Sequence, residues 1–463
     1  MIDPERELFE GLVEQHVPES GAEKAGARGL PRLRRPERGQ LGWEAVSLDE
    51  LLPPDHRARM VWAFVDGLDL SELYGRIKAV EGHPGHPPAD PRLLLGLWLY
   101  ATLEQIGSAR ALERLCEEHL GFRWMRGGVR VNYHTLADFR VAHPDLLDRL
   151  LTQSFAVLLD SGVATLGRVA QDGMRVRACA GAASFRRRRS LEQWQQIAQG
   201  EVVRLRKEIE RDPVAGSARR RKARERAARE REARVSEALK ALARIEKRAG
   251  KPPPDPPPPD PPPPSGGTGG KKPAAPRAST TDAEARVMKM ADGGFRPAFN
   301  VQYATDTSSQ LIAGVAVGNV GSDQGQMGPM VEQLVERYGS RPTEILVDGG
   351  FTKLADIQAV SESGETTVYA PVTKPRDPER DPHAPLEKDP PHVADWRVRM
   401  GTPAAKEIYK DRAATAECVN ALARNRGFQR FAVRGLVKAR AVALLFALAH
   451  NLMRAQSLAC AAT

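Results

Sequence analysis

Apolar side chains in the first third of this chain recur at helical spacing. Residues 91–106, PRLLLGLWLYATLEQI, show this pattern most clearly. Further helices follow, one with Ser108 as a candidate N-cap and one with Pro144 at a position suited to the first helical turn and Gly162 after its end. We therefore predict a compact helical domain over residues 56–162.

From residue 166 the spacing changes to one that is typical of strands. Residues 166–178, LGRVAQDGMRVRA, predict a first strand. After a long insertion, the pattern predicts a hairpin of two strands (295–306 and 309–319), a helix (322–339), a strand (343–350), a helix (352–364), a strand (366–372), a polar, Pro-rich loop (373–403) and helices to the end. Without the insertion, this is the order of an α/β RNase-H-like mixed sheet with flanking helices, preceded by an all-α domain.

The insertion has a basic helical part and a proline-rich part. Residues 191–250 lack strand signals and are dense in Glu, Arg, Lys and Ala, which predicts a long helix or a helical hairpin, and residues 201–250 contain 17 Lys and Arg against 9 Asp and Glu. This helix is either a solvated surface with i,i+4 ion pairs or an arm along DNA phosphates, and the sequence favours neither. Residues 252–264 hold 11 prolines and two aspartates, which predicts a polyproline II or disordered linker.

Composition adds a basic charge and no metal-thiolate pattern. Lys and Arg outnumber Asp and Glu by 69 to 59 in the 463 residues, and the net charge of +10 is compatible with nucleic acid or with a generally basic protein. The four cysteines lack CxxC spacing, so we expect reduced thiols: Cys116, Cys179, Cys418 and Cys460. The N-terminus lacks the apolar core of a signal peptide, and the apolar window 441–453 is too short to span a bilayer.

Three acids are the candidate chemical groups. Asp172 lies in the first strand, Asp348 at the end of the strand after the first helix, and Glu417 on a late helix. In the predicted sheet order the two strands are neighbours and the helix packs across them, so folding would bring the three acids together. An Asp before Gly at a strand end is often only a turn residue, and Glu417 alone could be a solvated acid, so the hypothesis rests on their conjunction.

This set of acids suits phosphoryl transfer by two metal ions. Hard cations such as Mg²⁺ prefer carboxylate oxygens, and two of them about 4 Å apart activate a nucleophile and neutralise charge on the leaving oxygen. We predict that Asp172 bridges two Mg²⁺ ions, with Mn²⁺ as an alternative, while Asp348 binds one ion and Glu417 the other. The predicted DNA phosphate contacts lie near the glutamate in sequence: Tyr409, Arg412 and Arg424.

Several sequence blocks, in order, resemble the DDE transposases of bacterial insertion sequences. They are HPPADPRLLLGLWLYATLEQIGSARALERLCEEHLGFRWMRGG (86–128), HTLADFRVAH (134–143), TDAEARVMKMADGGFRPAFNVQYATD (281–306), YKDRAATAE (409–417) and FAVRGLVKAR with the later LAHNL (431–452). By position, Asp172, Asp348 and Glu417 match the catalytic triad of that family. The chain departs from the family in having Arg424 where Lys is usual, and Cys418-Val419-Asn420 where a Pro and an aromatic residue usually follow the glutamate.

The resemblance implies an enzyme that binds the inverted-repeat ends of its own element, cleaves a DNA strand and transfers the 3′-OH to target DNA. Its partners would be double-stranded DNA and a second copy of the chain on that DNA, with no membrane, in the bacterial cytoplasm near the nucleoid. The alternatives are a catalytically inactive or co-opted DNA-binding protein, a structural protein with a coiled-coil insertion, and a nuclease of the same fold that cuts without joining.

The resemblance and the sequence patterns together divide the chain into seven segments. They are a loosely ordered N-terminal segment (1–55), a helical, DNA-end-binding domain (56–162), the first part of the catalytic domain (163–185), a basic helical insertion (186–250), a Pro/Gly-rich linker (251–279), the rest of the catalytic domain with C-terminal helices (280–455) and a tail (456–463).

Overall fold

The computed structural model describes residues 47–80, 86–211, 218–248, 275–375 and 377–462. The chain divides into Met1–Ser47 and Leu48–Thr463, and every element below belongs to the second unit. Most of the predicted N-terminal segment and the proline tract lie outside the described residues. Within the described part of that segment, Asp49–Leu51 form a single helical turn.

The region predicted to be helical is helical. It contains α1 (Arg57–Asp66), α2 (Ser71–Tyr74), α3 (Pro91–Leu103), α4 (Ala109–Glu118), α5 (Leu120–Arg126), α6 (Tyr133–Ala142) and α7 (Pro144–Asp160). The predicted caps are also present, since Ser108 accepts the N–H of Ala111 at 3.4 Å and Pro144 begins α7. Helix α3 is buried on almost every side, which explains its nearly continuous apolar sequence.

One mixed sheet forms the centre of the fold. Its strands are β1 (Arg168–Arg177), β4 (Arg286–Lys289), β5 (Phe295–Asp306), β6 (Ile312–Gly318), β7 (Glu344–Leu346) and β8 (Thr367–Tyr369). β5 is antiparallel to β1, β4 and β6, whereas β7 is parallel to β1 and β8 is parallel to β7. The predicted hairpin is therefore confirmed as β5–β6, and the predicted neighbourhood of the first strand and the strand after the first helix is confirmed as β1–β7.

The basic insertion is a helical hairpin of α8 (Arg188–Arg211) and α9 (Ala218–Arg248). Its two helices pack through apolar residues that include Leu191, Val235 and Leu242. At its base a two-stranded ribbon pairs β2 (Phe185–Arg186) with β3 (Ala278–Ser279). Ala278 is fully buried, so the end of the segment predicted to be a linker is part of the packed structure.

The C-terminal half completes the flanking layers. Its helices are α10 (Met327–Tyr338), α11 (Leu354–Ser361), α12 (Pro391–Gly401), α13 (Pro403–Arg412), α14 (Cys418–Asn425) and α15 (Leu436–Ala462). The loop predicted over 373–403 is wrong in its last part, because α12 forms there. Val393, Trp396 and Met400 recur at helical spacing in α12 and bury their side chains in a second apolar cluster.

Helix α15 joins the helical region to the sheet in one apolar core. Trp98 of α3, Leu150 of α7, Val301 of β5 and Phe446 of α15 all belong to this core. Helix α15 continues to Ala462, through the segment predicted to be a tail. By length and composition Leu436–Ala461 could cross a membrane, but 61% of its apolar window is buried inside the protein, as in a core helix.

Candidate active site

The sheet register places two of the predicted acids side by side. Ala170 of β1 lies opposite Leu346 of β7, and each strand reaches its aspartate two residues later, at Asp172 and Asp348. Asp172 is within β1, whereas Asp348 follows the end of β7. The Asp348 carboxylate accepts the N–H of Gly350 at 2.8 Å and so caps a short helical turn. Asp348 therefore also acts as a turn residue, which is the alternative role that its position before a glycine suggested.

Glu417 ends a π-helical turn, Ala413–Glu417, between α13 and α14. This turn contacts both β1 and β5. In a regular α-helix, residues five apart point about 140° away from each other. The wider π-turn brings Arg412 and Glu417 together, with Nη1 3.1 Å from Oε1.

The guanidinium of Arg412 lies between all three acids. Its Nη2 is 3.6 Å from Oδ2 of Asp172 and 3.9 Å from Oδ2 of Asp348, while its Nη1 contacts Glu417. The Arg412 side chain is only 12% exposed. Three carboxylates this close repel one another, and a buried cation among them offsets that repulsion. Folding therefore brings the three predicted acids around one guanidinium, although their catalytic role stays a prediction.

The three acids differ in their exposure to solvent. The side chains of Asp172, Asp348 and Glu417 are 16%, 38% and 62% exposed. Burial raises the pKa of Asp172 to about 6; Arg412 opposes this rise and the Asp348 charge adds to it. Asp172 is thus the inner acid of the group, and Glu417 is the acid closest to solvent.

Asn420 is a member of this site that the sequence analysis did not identify. Its Nδ2 donates to Oδ2 of Asp172 at 2.8 Å, while the N–H of Gly173 donates to Oδ1 at 2.8 Å. Asn420 follows Glu417 by three residues, so the two side chains lie on the same side of the helix. In the sequence, that spacing is the signal that marks Asn420, which otherwise stands only as a departure from the family pattern.

The three predicted phosphate contacts occupy different places. Arg412 lies among the acids, and Tyr409 donates from its hydroxyl to the carbonyl of Val347 at 3.0 Å, directly before Asp348. Burial raises the pKa of Tyr409 to about 12, so this hydroxyl keeps its proton. Arg424 does not contact the acids; it is exposed and lines a neighbouring cleft. A phosphate contact by any of the three stays a prediction.

A fourth acid, Asp323, lies behind the site and was also missed. Its side chain is 5% exposed, and it accepts hydrogen bonds of 2.7 Å from Arg175, Asn300 and Gln302. A Cβ on Gly173 would overlap both Asp323 and Gln302, so this network requires glycine after Asp172. The amides of Asn300 and Gln302, both on β5, therefore share Asp323 as their acceptor.

The donor chemistry of the three acids fits divalent cations. Carboxylate oxygens are the ligands that Mg²⁺ prefers, and Asp348 and Glu417 are open to solvent. In the described ranges, no three acids, histidines or cysteines are grouped closely enough to form a ready metal cage. The guanidinium of Arg412 lies between the three carboxylates in this arrangement.

Two family models match separate parts of the chain. A model described as "Transposase domain (DUF772)" matches residues 46–142, and a model described as "Transposase DDE domain" matches residues 386–455. The first covers most of the helical region, and the second covers Arg412, Glu417 and Asn420. Asp172 and Asp348 lie outside both matched segments, so the structure alone connects them to Glu417. No curated protein and no solved structure matches the chain.

Proposed function

We propose that this chain, whose resemblance to the insertion-sequence DDE transposases is confirmed by both family matches, cleaves and joins DNA at Asp172, Asp348 and Glu417. The observation that carries the proposal is the meeting of these acids, from β1, the end of β7 and the π-turn, around Arg412. Separate elements converging on one charged point are typical of a functional site.

The sheet order supports an RNase-H-like catalytic domain. Its strands run β5-β1-β7-β8, and β4 and β6 both pair with β5 as well; β5 is antiparallel to β1, whereas β1, β7 and β8 are parallel. This order includes the pairing of the first strand with the strand after the first helix that the sequence predicts. The fold assignment rests on this topology and on the helices that flank the sheet.

The residues divide into those that would hold metal and those that position them. Asp172, Asp348 and Glu417 would hold two Mg²⁺ ions, with Mn²⁺ as an alternative; bound metal would supply nucleophile activation and charge neutralisation at the leaving oxygen. Asn420 fixes one oxygen of Asp172, and Tyr409 fixes the backbone before Asp348. Arg412 holds the carboxylates together and is the group among them that can bind a DNA phosphate.

The DNA partners follow from the same proposal. The helical region over 56–162 would recognise the inverted-repeat ends, because base readout requires an element other than the sheet. The exposed basic side chains of the α8–α9 hairpin would add phosphate contacts. Joining two ends requires two copies of the chain on DNA. We place this protein in the bacterial cytoplasm, where its DNA substrate lies.

The test is a strand-transfer assay. Purified protein is incubated with a labelled duplex carrying the inverted repeats that flank its gene, a supercoiled target plasmid, and either Mg²⁺ or chelator. We expect Mg²⁺-dependent nicks at the repeat ends and labelled end DNA joined to the plasmid. Nicks without joined products would indicate a nuclease, and end binding without nicks would indicate a DNA-binding protein without catalysis.

A further inference from the structure

An open cleft of about 670 Å³ lies along the part of β1 that directly follows Asp172, although none of the three acids lines it. Gly173 and Met174 of β1 line it, as do residues of β4, β5 and the segment after α14. Five of its lining residues are basic: Arg175, Arg177, Lys289, Arg296 and Arg424. The cleft is therefore strongly positive, and the strand that carries Asp172 forms part of its lining.

Most of this positive charge is not neutralised within the protein. Asp292 is the one acid among the lining residues, and it pairs with Arg296 at 2.6 Å. Arg177, Lys289 and Arg424 are exposed, and within the described ranges none of them has a carboxylate at ion-pair distance. Unpaired cations in a concave surface concentrate positive potential and attract a polyanion.

Arg175 is held in place before any ligand arrives. Its Nη2 donates to Oδ2 of Asp323 at 2.7 Å and to the carbonyl of Gly321 at 2.9 Å. Asp323 is itself fixed by the amides of Asn300 and Gln302. Only one nitrogen of the guanidinium is used in these bonds. A cation fixed in this way loses little side-chain entropy when it binds phosphate.

The cleft does not offer an aromatic face for nucleobases. Phe428 is its one aromatic lining residue, and that ring is stacked on Phe446 with an interplanar angle of 4°. Its other ring contact, with Phe431, is also internal. Single-strand binding sites that read bases usually present exposed aromatic rings for stacking. The lining therefore favours the sugar-phosphate backbone over the bases.

We propose that this cleft binds the phosphodiester backbone of the DNA strand adjacent to the acids, without regard to base sequence, and that Arg175 is its preorganised contact. The proposal rests on the proposed function in naming DNA as the polyanion. It differs from end recognition by the helical region, because backbone contacts in the cleft would stabilise end and non-end DNA equally.

The test is the salt dependence of DNA binding by the full chain in chelator. The Arg177→Gln/Lys289→Gln double variant changes two exposed side chains that lack ion pairs, so its melting temperature should match wild type. Log affinity falls with log salt, and removal of two duplex phosphate contacts should make this slope shallower by about 1.8. The loss should be the same for end DNA and for a random duplex of equal length.

The matched control is Arg341→Gln, which removes a cation paired with Glu332 and Glu365 outside the cleft. It should leave the salt slope unchanged. An unchanged slope in the double variant, a loss restricted to end DNA, or equal competition by an acidic peptide would overturn the proposal. Binding is measured without metal, so a failure of cleavage in the strand-transfer assay would leave this result interpretable on its own.

Discussion

Asn420 donates a 2.8 Å hydrogen bond to Asp172, although 248 residues separate the two in the chain. This bond ties the helix after the π-turn to the central strand of the sheet. Glu417 lies three residues before Asn420, so the same bond also fixes the distance between the outermost and innermost acids.

Replacing Asn420 by Ala should slow DNA cleavage without abolishing DNA binding. The variant leaves Oδ2 of Asp172 without its amide donor, and supporting partners of metal ligands typically contribute about 10- to 100-fold. We therefore expect a loss of that size in the cleavage rate at saturating Mg²⁺. Asn420→Asp should be worse than Asn420→Ala, because it places a carboxylate against Asp172. Equal rates for the two variants would contradict the assigned role.

Replacing Arg412 by Gln should make the protein depend on divalent cations for stability. Without the guanidinium the three acids repel one another, and we expect the metal-free protein to lose roughly 1–3 kcal/mol. Added Mg²⁺ should raise the melting temperature of the variant more than that of wild type, because the cation replaces the lost charge. Equal shifts in both proteins, with Arg341→Gln as the control, would show that Arg412 does not substitute for metal.

Asp172 should make the stability of the metal-free protein fall as the pH rises. Its pKa is raised in the folded state, from 3.8 to about 6, so folding favours the protonated form. The stabilisation is complete below the unfolded pKa and is lost as the pH rises through about 6. Asp172→Asn should therefore increase the free energy of unfolding at pH 7 by on the order of 1–3 kcal/mol. Chemical denaturation at pH 4 should show little difference between the two proteins, and a constant difference would be inconsistent with this account.

Gly173 should not tolerate a methyl group. A Cβ there would overlap Asp323 and Gln302, so Gly173→Ala should destabilise the protein by about 1–3 kcal/mol or displace the network. Gly181 provides the matched control, since a Cβ there meets no atom within 4 Å. Thermal melting of the two variants is the measurement. A melting temperature for Gly173→Ala equal to that of Gly181→Ala would show that the network yields easily.

The sequence was sufficient to predict the elements that carry the site. Hydrophobic spacing identified the strands of Asp172 and Asp348, and the order of elements predicted that these strands are neighbours. Helix α12 was missed because prolines and charges surround Val393, Trp396 and Met400, whose helical spacing spans only two turns. Local pattern is a weak signal over so short a segment when tertiary packing stabilises the helix.

The contacts within the site could not be predicted in the same way. The phosphate contact expected of Arg412 stays a prediction, but its place among the acids, brought about by the π-turn that follows it, was not foreseen. The residue spacing around this turn does not distinguish a π-turn from a regular α-helix. The role of Asp323 also could not be predicted from residue spacing. Its partners come from two strands paired across the sheet: Arg175, Asn300 and Gln302. Buried polar partners are determined by three-dimensional packing.

The most direct test of the central claim is cleavage by Asp348→Asn. The wild type, this variant and Asp395→Asn, which changes an exposed acid of α12, are compared on a labelled duplex with the flanking repeats, with Mg²⁺ or chelator. We expect Asp348→Asn to bind the duplex normally but to nick it at least about a hundredfold more slowly, whereas Asp395→Asn should match wild type. Mg²⁺-dependent nicking by Asp348→Asn at the wild-type rate would contradict the account.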